Sequence, residues 1–384
     1  MGSIAADYYG KFNYLPRGTK PTPGTGAYSL PALTNFEESP KLPLTDIRFS
    51  LDLGEASPFK LSKHGFTARR HESRLDSAPY NRESWSDENL LRSIYFPEVE
   101  ELLKQVTGCK HVVPTGAILR SNLYSEEPEP SNTEEQQEDE PITICCPIYG
   151  SRPDSGVSTA PKVHLDFTPQ GARFQIRKQH HDLVSLAEPI IEAENKLLRS
   201  GVSWDALKDH YRTGDAEQGI PRFALFSVWR PLKPVTRDPL AVAPTFSFPK
   251  EDYFPMEYYD VSFDKDIPPH LSEIIDPAAP QQSQGNKHKA GKYRTWAYTA
   301  HEPRDTKGKG HDWHFISDQK PSEVMIIQFF DNETEANLRA PQDASDTSPE
   351  LPVCGAIHSS FELDGQDPEE EARESLELRC TVFW

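Results

Sequence analysis

Lys162-Val163-His164-Leu165-Asp166-Phe167-Thr168-Pro169 is the stretch on which the reading of the chain turns. Side chains alternate along an extended strand, so His164 and Asp166, two residues apart, point to one face. An imidazole and a carboxylate presented together supply two of the three ligands of a two-histidine, one-carboxylate set. Such a set holds Fe(II) and leaves coordination positions open for oxygen and a cosubstrate. Taken alone the pair is a short motif. With 13 histidines and 60 acidic residues in the chain, His-x-Asp arises by chance, and a solvated strand end is the ordinary explanation.

The C-terminal third adds the missing parts in the required order. Glu323–Phe330 reads as a buried strand and Ala356–Leu363 as its neighbour, and the second carries His358. Arg373 follows fifteen residues later, at the start of a final strand Ser375–Phe383. Two neutral imidazoles and one carboxylate leave Fe(II) with net positive charge, able to chelate the keto-acid end of 2-oxoglutarate and still accept O2. The far carboxylate of that cosubstrate calls for a fixed, forked cation, which arginine provides and lysine does not. Ser375 lies two residues beyond Arg373, on the same strand face, and can add one hydrogen bond. Arg379 is the alternative clamp, and a surface charge within the acidic Glu362–Glu374 stretch is the plain alternative for Arg373.

Composition bounds the possibilities. The net charge of −19 includes a run of eight acids without a base between Glu126 and Glu140. Without that run about −11 remains, which argues against nucleic acid or an anionic membrane as the main partner and leaves a small molecule. The five cysteines (Cys109, Cys145, Cys146, Cys354, Cys380) are odd in number and lack Cys-x-x-Cys spacing. They form neither a zinc-finger pattern nor a disulfide framework, and a reducing cytoplasmic setting is the simplest one. The first residues show no basic segment followed by an apolar one, and no apolar run is long enough to span a bilayer.

Residues 1–45, rich in Gly, Pro and Thr, are expected to form an extended arm, with one oxygenase domain over 46–384. Strands are predicted at Thr45–Leu53 and Phe66–Arg70. Ser86-Asp87-Glu88 is a helix N-cap signal, Pro97 suits a first turn, and Gly108 stops the helix. Cys109–Leu119 continues as a strand. The acidic segment near 125–141 lacks apolar anchors and is expected to be a disordered insertion. A helix over Leu183–Leu198 carries Pro189 inside it, and Trp204–Tyr211 is a shorter one. Arg222–Pro231, Asp238–Val242 and Tyr293–Thr299 read as further strands, and a second loop insertion falls near 332–353. Many short strands with helices outside them predict a mainly β protein with flanking helices, not alternating βαβ units. The oxygenase order of motifs makes its core a double-stranded β-helix, the jelly-roll or cupin-like barrel.

At this point the chain resembles a known family, the fungal hydroxylase/desaturase (AsaB-like or CmcJ-like) Fe(II)/2-oxoglutarate oxygenases, over His64 to Trp384. The matching stretches are His64-Gly65-Phe66, Ile94-Tyr95-Phe96-Pro97-Glu98, Val163-His164-Leu165-Asp166 and Val228-Trp229-Arg230-Pro231-Leu232. Asp238-Pro239-Leu240-Ala241-Val242, His311-Asp312-Trp313, Pro321-Ser322-Glu323-Val324 and Arg373-Glu374-Ser375 extend the match. The resemblance implies iron at His164, Asp166 and His358, 2-oxoglutarate on Arg373, and C–H hydroxylation, desaturation or oxidative ring closure on a secondary metabolite. Where the family has His-Thr-Ala-Phe, this chain reads His358-Ser359-Ser360-Phe361 after an unusually long loop. His311 is therefore the competing third ligand, and His358 is favoured because an arginine follows at the right distance.

Substrate contacts are expected from loops at the barrel mouth. Phe167, Gln170 and Ser359 are the candidates there, together with His311 and Trp313, which line the pocket or orient a group behind the metal ligands. Trp229 reads as core; Arg230 is either a satisfied buried arginine or a pocket cation. Two rival functions remain open on the same residues: a zinc-dependent hydrolase or isomerase, and a non-catalytic binding protein on the same scaffold.

Overall fold

The structure is a computed structural model, and it describes residues 8–22, 30–124, 146–151, 157–177, 181–211, 219–260, 293–304, 310–337 and 354–384. Both acidic insertions lie largely outside these residues, the first one wholly.

The described strands, in chain order, begin with β1 (Tyr8–Lys11), β2 (Asn13–Tyr14), β3 (Glu37–Glu38), β4 (Leu42–Asp46), β5 (Phe66–Arg70) and β6 (His111–Asn122). They continue with β7 (Ile148–Tyr149), β8 (Val157–Ser158), β9 (His164–Leu165), β10 (Phe223–Pro231), β11 (Leu240–Ala243) and β12 (Tyr253–Asp260). The last are β13 (Tyr293–Ala300), β14 (Trp313–Phe315), β15 (Glu323–Asp331), β16 (Ile357–Ser360), β17 (Glu362–Leu363) and β18 (Ser375–Phe383). One sheet runs β12-β13-β9-β16-β11-β14-β4-β1-β17. The other runs β5-β15-β10-β18-β6-β7, with β8 paired to β6. Pairing is antiparallel except at β14–β4, β6–β7 and β6–β8.

The two sheets face one another. β10 and β15, central in the second sheet, are buried along their whole length, which is why their sequences read as continuous apolar runs. Leu225, Trp229, Met325, Ile327 and Phe329 of these strands pack inward with Leu165, Phe315 and Ile357 of the facing sheet. Their alternate residues Phe226, Val228, Val324 and Ile326 turn outward with Val99, Leu102 and Leu103 of the helix Phe96–Thr107. The predicted signals hold: Asp87 accepts from the backbone of Asn89 and Leu90 and caps the short helix Glu88–Leu90, Pro97 sits in the first turn of Phe96–Thr107, and Gly108 closes that helix at φ 72°.

Three expectations need correction. The described residues of the first 45 do not stand apart as an arm. β1 pairs with both β4 and β17 inside the larger sheet, and Phe12, Tyr14 and Leu15 are fully or almost fully buried. The strand expected at Thr45–Leu53 ends at Asp46, whose carboxylate accepts from the backbone of Arg48 and starts a 3-10 turn. Glu323–Phe330 and the His358 strand are not partners: β15 and β16 lie in opposite sheets. Apolar strands that follow each other in sequence need not pair, and here the chain crosses to the facing sheet.

Candidate metal centre and cosubstrate pocket

His164 lies on β9, which ends at Leu165 because Thr168 caps the helix Pro169–Gln175 immediately beyond. Asp166 therefore sits in the turn between strand and helix, its side chain only 7% exposed. His358 is the cross-strand partner of His164, and the ring centroids are 4.3 Å apart. Asp166 Oδ1 lies 3.5 Å from His164 Nε2 and 3.7 Å from His358 Nε2. One ligand atom from each of the three residues falls within 4.8 Å of the others. The sheet pairing thus brings together residues almost two hundred positions apart.

The backbone fixes which imidazole nitrogen faces inward. His164 Nδ1 donates to the Lys162 carbonyl at 2.6 Å, and His358 Nδ1 to the Ala356 carbonyl at 3.3 Å. Each Nε2 is left with its lone pair toward Asp166, the tautomer that a metal ligand needs. Burial, reinforced by the neighbouring His358, pushes His164 well below the ordinary imidazole pKa, so it is neutral at physiological pH. Arg379 forms an ion pair with Asp166 Oδ2 at 2.7 Å and donates from Nε to Glu377 at 2.8 Å. Asp166 is thereby oriented with Oδ1 toward the two histidines. Phe329 stacks on the His358 ring, with centroids 5.5 Å apart.

Beside this cluster is a pocket lined by His164, His358, Ser360, Arg120, Arg373 and Glu377. Arg373 precedes β18 by two residues. Its Nη1 donates to the Asp238 carbonyl at 2.6 Å, and its guanidinium packs over Trp229 at 5.0 Å. Asp238 presents that carbonyl from a left-handed conformation (φ 47°), held on both sides by the Gln366 amide. Burial, and then Arg120, lower the Arg373 pKa to about 9, and it stays charged at neutral pH. Arg373 Nε and the buried Ser375 Oγ have no partner. Glu377 is held at about 2 although burial opposes its charge, by Arg379, Arg120 and His358.

Several predicted site residues fall elsewhere. His311 is not near the His-x-Asp pair. Trp313 Nε1 donates to the Tyr14 hydroxyl at 2.9 Å, which donates to His311 Nδ1 at 2.9 Å, while His311 Nε2 donates to Asp252 at 2.9 Å. Both ring nitrogens are used, and His311 and Trp313 tie the N-terminal segment to the body. They do not line the pocket. Arg230 is no pocket cation either, because it alternates with Trp229 and so points to the outer face of its sheet. There it donates to the carbonyls of Pro321 and His71 and lies over the rings of Tyr95 and Trp85. Ser359 alternates with His358 and turns away from it, donating to the Ser360 carbonyl; Ser360 lines the pocket instead. Arg379 is engaged by two carboxylates and is not available as a clamp. Gln170 lines neither pocket, whereas Phe167 lines a second one.

Arg120, Glu377 and Ser360 were not singled out from the sequence. For Glu377 the signal was present: Ser375, Glu377, Arg379 and Thr381 put a polar residue at every second position of an otherwise apolar strand. Arg120 becomes visible only with the register, which sets it opposite Ser375.

Two facing sheets with a His-x-Asp and a distal histidine between them form the arrangement of a mononuclear-metal oxidoreductase. The comparisons with known proteins agree. A family model described as an oxidoreductase/YMDC permease-like domain matches residues 24–193 and 292–383. The oxidoreductase chry3 of Gibberella zeae is 48% identical over the full length of both chains. The gibberellin cluster GA4 desaturase of Gibberella fujikuroi is 30% identical, covering 89% of this chain and 86% of its own. Among solved structures, the iron and alpha-ketoglutarate-dependent endoperoxidase NvfI superposes with a TM-score of 0.55 at 21% identity, over 100% of this chain and 99% of its own. The chain belongs to the fungal hydroxylase/desaturase family of oxidoreductases.

Proposed function

We propose that this protein is an Fe(II)/2-oxoglutarate-dependent oxygenase of secondary metabolism, acting on a small molecule by hydroxylation, desaturation or oxidative ring closure. Iron would be held by His164, Asp166 and His358, and the far carboxylate of 2-oxoglutarate by Arg373 and Ser375. The observation that carries the reading is the meeting of two incomplete sets in one pocket. Three donors converge with their lone pairs unshared, and in the pocket beside them the buried Arg373 Nε and the buried Ser227 and Ser360 hydroxyls lack partners. A buried polar group without a partner costs ~1–3 kcal/mol, which a carboxylate at this place would recover.

With iron, 2-oxoglutarate and O2 bound, the site would couple decarboxylation of the cosubstrate to attack on an unactivated C–H bond. The chain's own residues prepare that chemistry. Arg379 fixes Asp166, and the Lys162 and Ala356 carbonyls fix the imidazoles. Phe329 shields His358 from water, and Arg373 sets the angle at which a dicarboxylate enters. Which product follows depends on how the substrate carbon is held relative to the metal.

The two facing sheets are taken as the halves of a double-stranded β-helix, and residues 46–384 with the N-terminal strands as one domain. We take the enzyme to be cytoplasmic and to act on a small molecule; the acidic charge argues against nucleic acid or an anionic membrane as the main partner. The test is an anaerobic titration of the apoprotein with Fe(II) and then 2-oxoglutarate, following the visible charge-transfer band. The band is expected in wild type and in His311→Ala, and is expected to be lost in His164→Ala and His358→Ala. Its absence from folded wild type would sink the reading and leave a zinc hydrolase or a binding protein.

A further inference from the structure

Resting on the metal reading of the triad, we propose that Arg379 is a positioning residue that makes Asp166 a one-oxygen ligand, and that Glu377 shares the guanidinium charge so that Asp166 still binds the metal. A carboxylate binds a metal through one of its oxygens or through both. The second mode closes one more coordination position, and open positions are what distinguish a two-histidine, one-carboxylate set. The choice between the modes rests with whatever holds the second oxygen.

The two oxygens of Asp166 have different neighbours. Oδ1 lies 3.5 Å and 3.7 Å from the two imidazole Nε2 atoms, while Oδ2 lies 2.7 Å from Arg379 Nη2. A charged contact of this length is among the strong ones, and it competes directly with a metal for Oδ2. Arg379 is itself held in place. The Phe329 ring, which also stacks on His358, lies 5.8 Å from its guanidinium carbon. The pairing of β18 with β6 slips between Arg379 and Cys380 and leaves Thr115 as the extra residue, whose hydroxyl donates to the Arg379 carbonyl at 3.3 Å. A bulge of this kind re-aims the side chain beside it.

Glu377 precedes Arg379 by two residues and shares its strand face. Its carboxylate is buried and accepts from Arg379 Nε at 2.8 Å, with Arg120 Nη2 as a second cation at 3.8 Å. One guanidinium thus serves two carboxylates. Answering Asp166 alone, it would draw the ligand's charge away from the metal. Divided with Glu377, it holds Oδ2 and leaves Oδ1 a competent donor.

A purely structural ion cluster is the plain alternative. Buried charges are weak devices for stability, since well-packed apolar side chains of similar volume often replace them without loss. Apolar side chains do not hold a carboxylate oxygen, however, and this cluster is centred on the one acidic donor of the candidate metal centre.

The experiment is water-proton relaxation with Mn(II) bound to the full-length apoprotein. It counts the waters on the metal and needs neither 2-oxoglutarate nor turnover, and the titration gives the Mn(II) affinity as well. In Arg379→Met the freed Oδ2 is expected to join Oδ1 on the metal and displace one water, so that relaxation per bound Mn(II) falls by about one-third, from three open positions to two. Glu377→Gln, which still accepts from Nε but carries no charge, is expected to keep the wild-type relaxation and bind Mn(II) several-fold more weakly. The double variant removes both charges together and so guards against misfolding of Arg379→Met. It is expected to show the same one-third fall, with an affinity within about twofold of Arg379→Met, because Glu377 acts through Arg379. Unchanged relaxation per bound Mn(II) in the folded arginine variants, even with weaker binding, is the result of a merely structural cluster and would overturn the proposal. So would a wild type that already holds only two waters, while wild-type affinity in Glu377→Gln would remove the part given to Glu377. Folded wild type that binds no Mn(II) would overturn the proposal together with the metal centre, whereas the other outcomes leave the metal centre standing.

Discussion

Arg373 and Arg379 approach the same pocket from one strand, yet the structure gives them opposite positions. Arg379 has its charge matched by Asp166 and Glu377, whereas Arg373 has a single backbone acceptor and an unpartnered Nε. A buried guanidinium in this state is costly until an anion arrives. Arg373→Ala is therefore expected to weaken 2-oxoglutarate binding ~30-fold or more, since removing one partner of a buried charged pair costs ~2 kcal/mol or more. Arg373→Lys keeps the charge but not the fork, and tenfold or greater weakening is expected. Ser375→Ala removes one hydrogen bond of ~1 kcal/mol and should weaken binding about fivefold. Anaerobic titration at fixed Fe(II) reads all three, and metal affinity measured separately should stay at the wild-type value. Equal affinity in Arg373→Ala and wild type would place the clamp elsewhere.

At the scale of the element, strand periodicity decides what could and could not be read beforehand. His164, His358 and Arg373 were legible because each motif is local and their order along the chain is informative. Arg230 was not, since an apolar strand does not say which of its faces looks inward; only pairing with β15 and β18 shows that Trp229 takes the pocket side. His311 was misread for a related reason: its partners Tyr14 and Asp252 come from distant segments. The outer face where Arg230 lies carries its own pH dependence. Arg230 donates to His71 Nδ1, which requires the neutral ring, and burial, then Arg230, lower the His71 pKa to about 4. The unfolded chain binds this proton near pH 6.5 while the folded one does not. The stability that depends on neutral His71 is thus complete above pH 6.5, declines as pH falls, and is lost by about pH 4. Urea midpoints measured from pH 7 to 4 are expected to fall across this window. His71→Gln, which can accept from Arg230 but does not titrate, should flatten the decline while starting from a lower midpoint at pH 7. An identical slope in wild type and variant would refute the coupling. His64, also lowered to about 4, leaves part of the slope in place.

For the whole molecule, the question is whether the N-terminal segment is an appendage or part of the fold. Composition suggested an appendage, because Gly, Pro and Thr are frequent there. What composition does not show is where the apolar residues between them go. β1 lies within the larger sheet, paired between β4 and the edge strand β17. Phe12 is fully buried between Trp313, at 4.2 Å between centroids, and Phe361, at 5.1 Å, while Tyr14 bridges Trp313 and His311. Phe12→Ala is therefore expected to cost ~3–5 kcal/mol, the range for truncating a buried phenylalanine. Tyr14→Phe strands two buried polar groups and should cost ~1–3 kcal/mol. Urea denaturation followed by tryptophan fluorescence and circular dichroism would measure both, and a single cooperative domain requires the two probes to report the same midpoint. Neither side chain touches the triad, so the Fe(II)/2-oxoglutarate band should survive in both variants under conditions where they remain folded. A loss below 1 kcal/mol for Phe12→Ala would return the first strands to the status of an arm. A loss in the expected range, shared by both probes, would make them a structural wall of the same β core that holds the site.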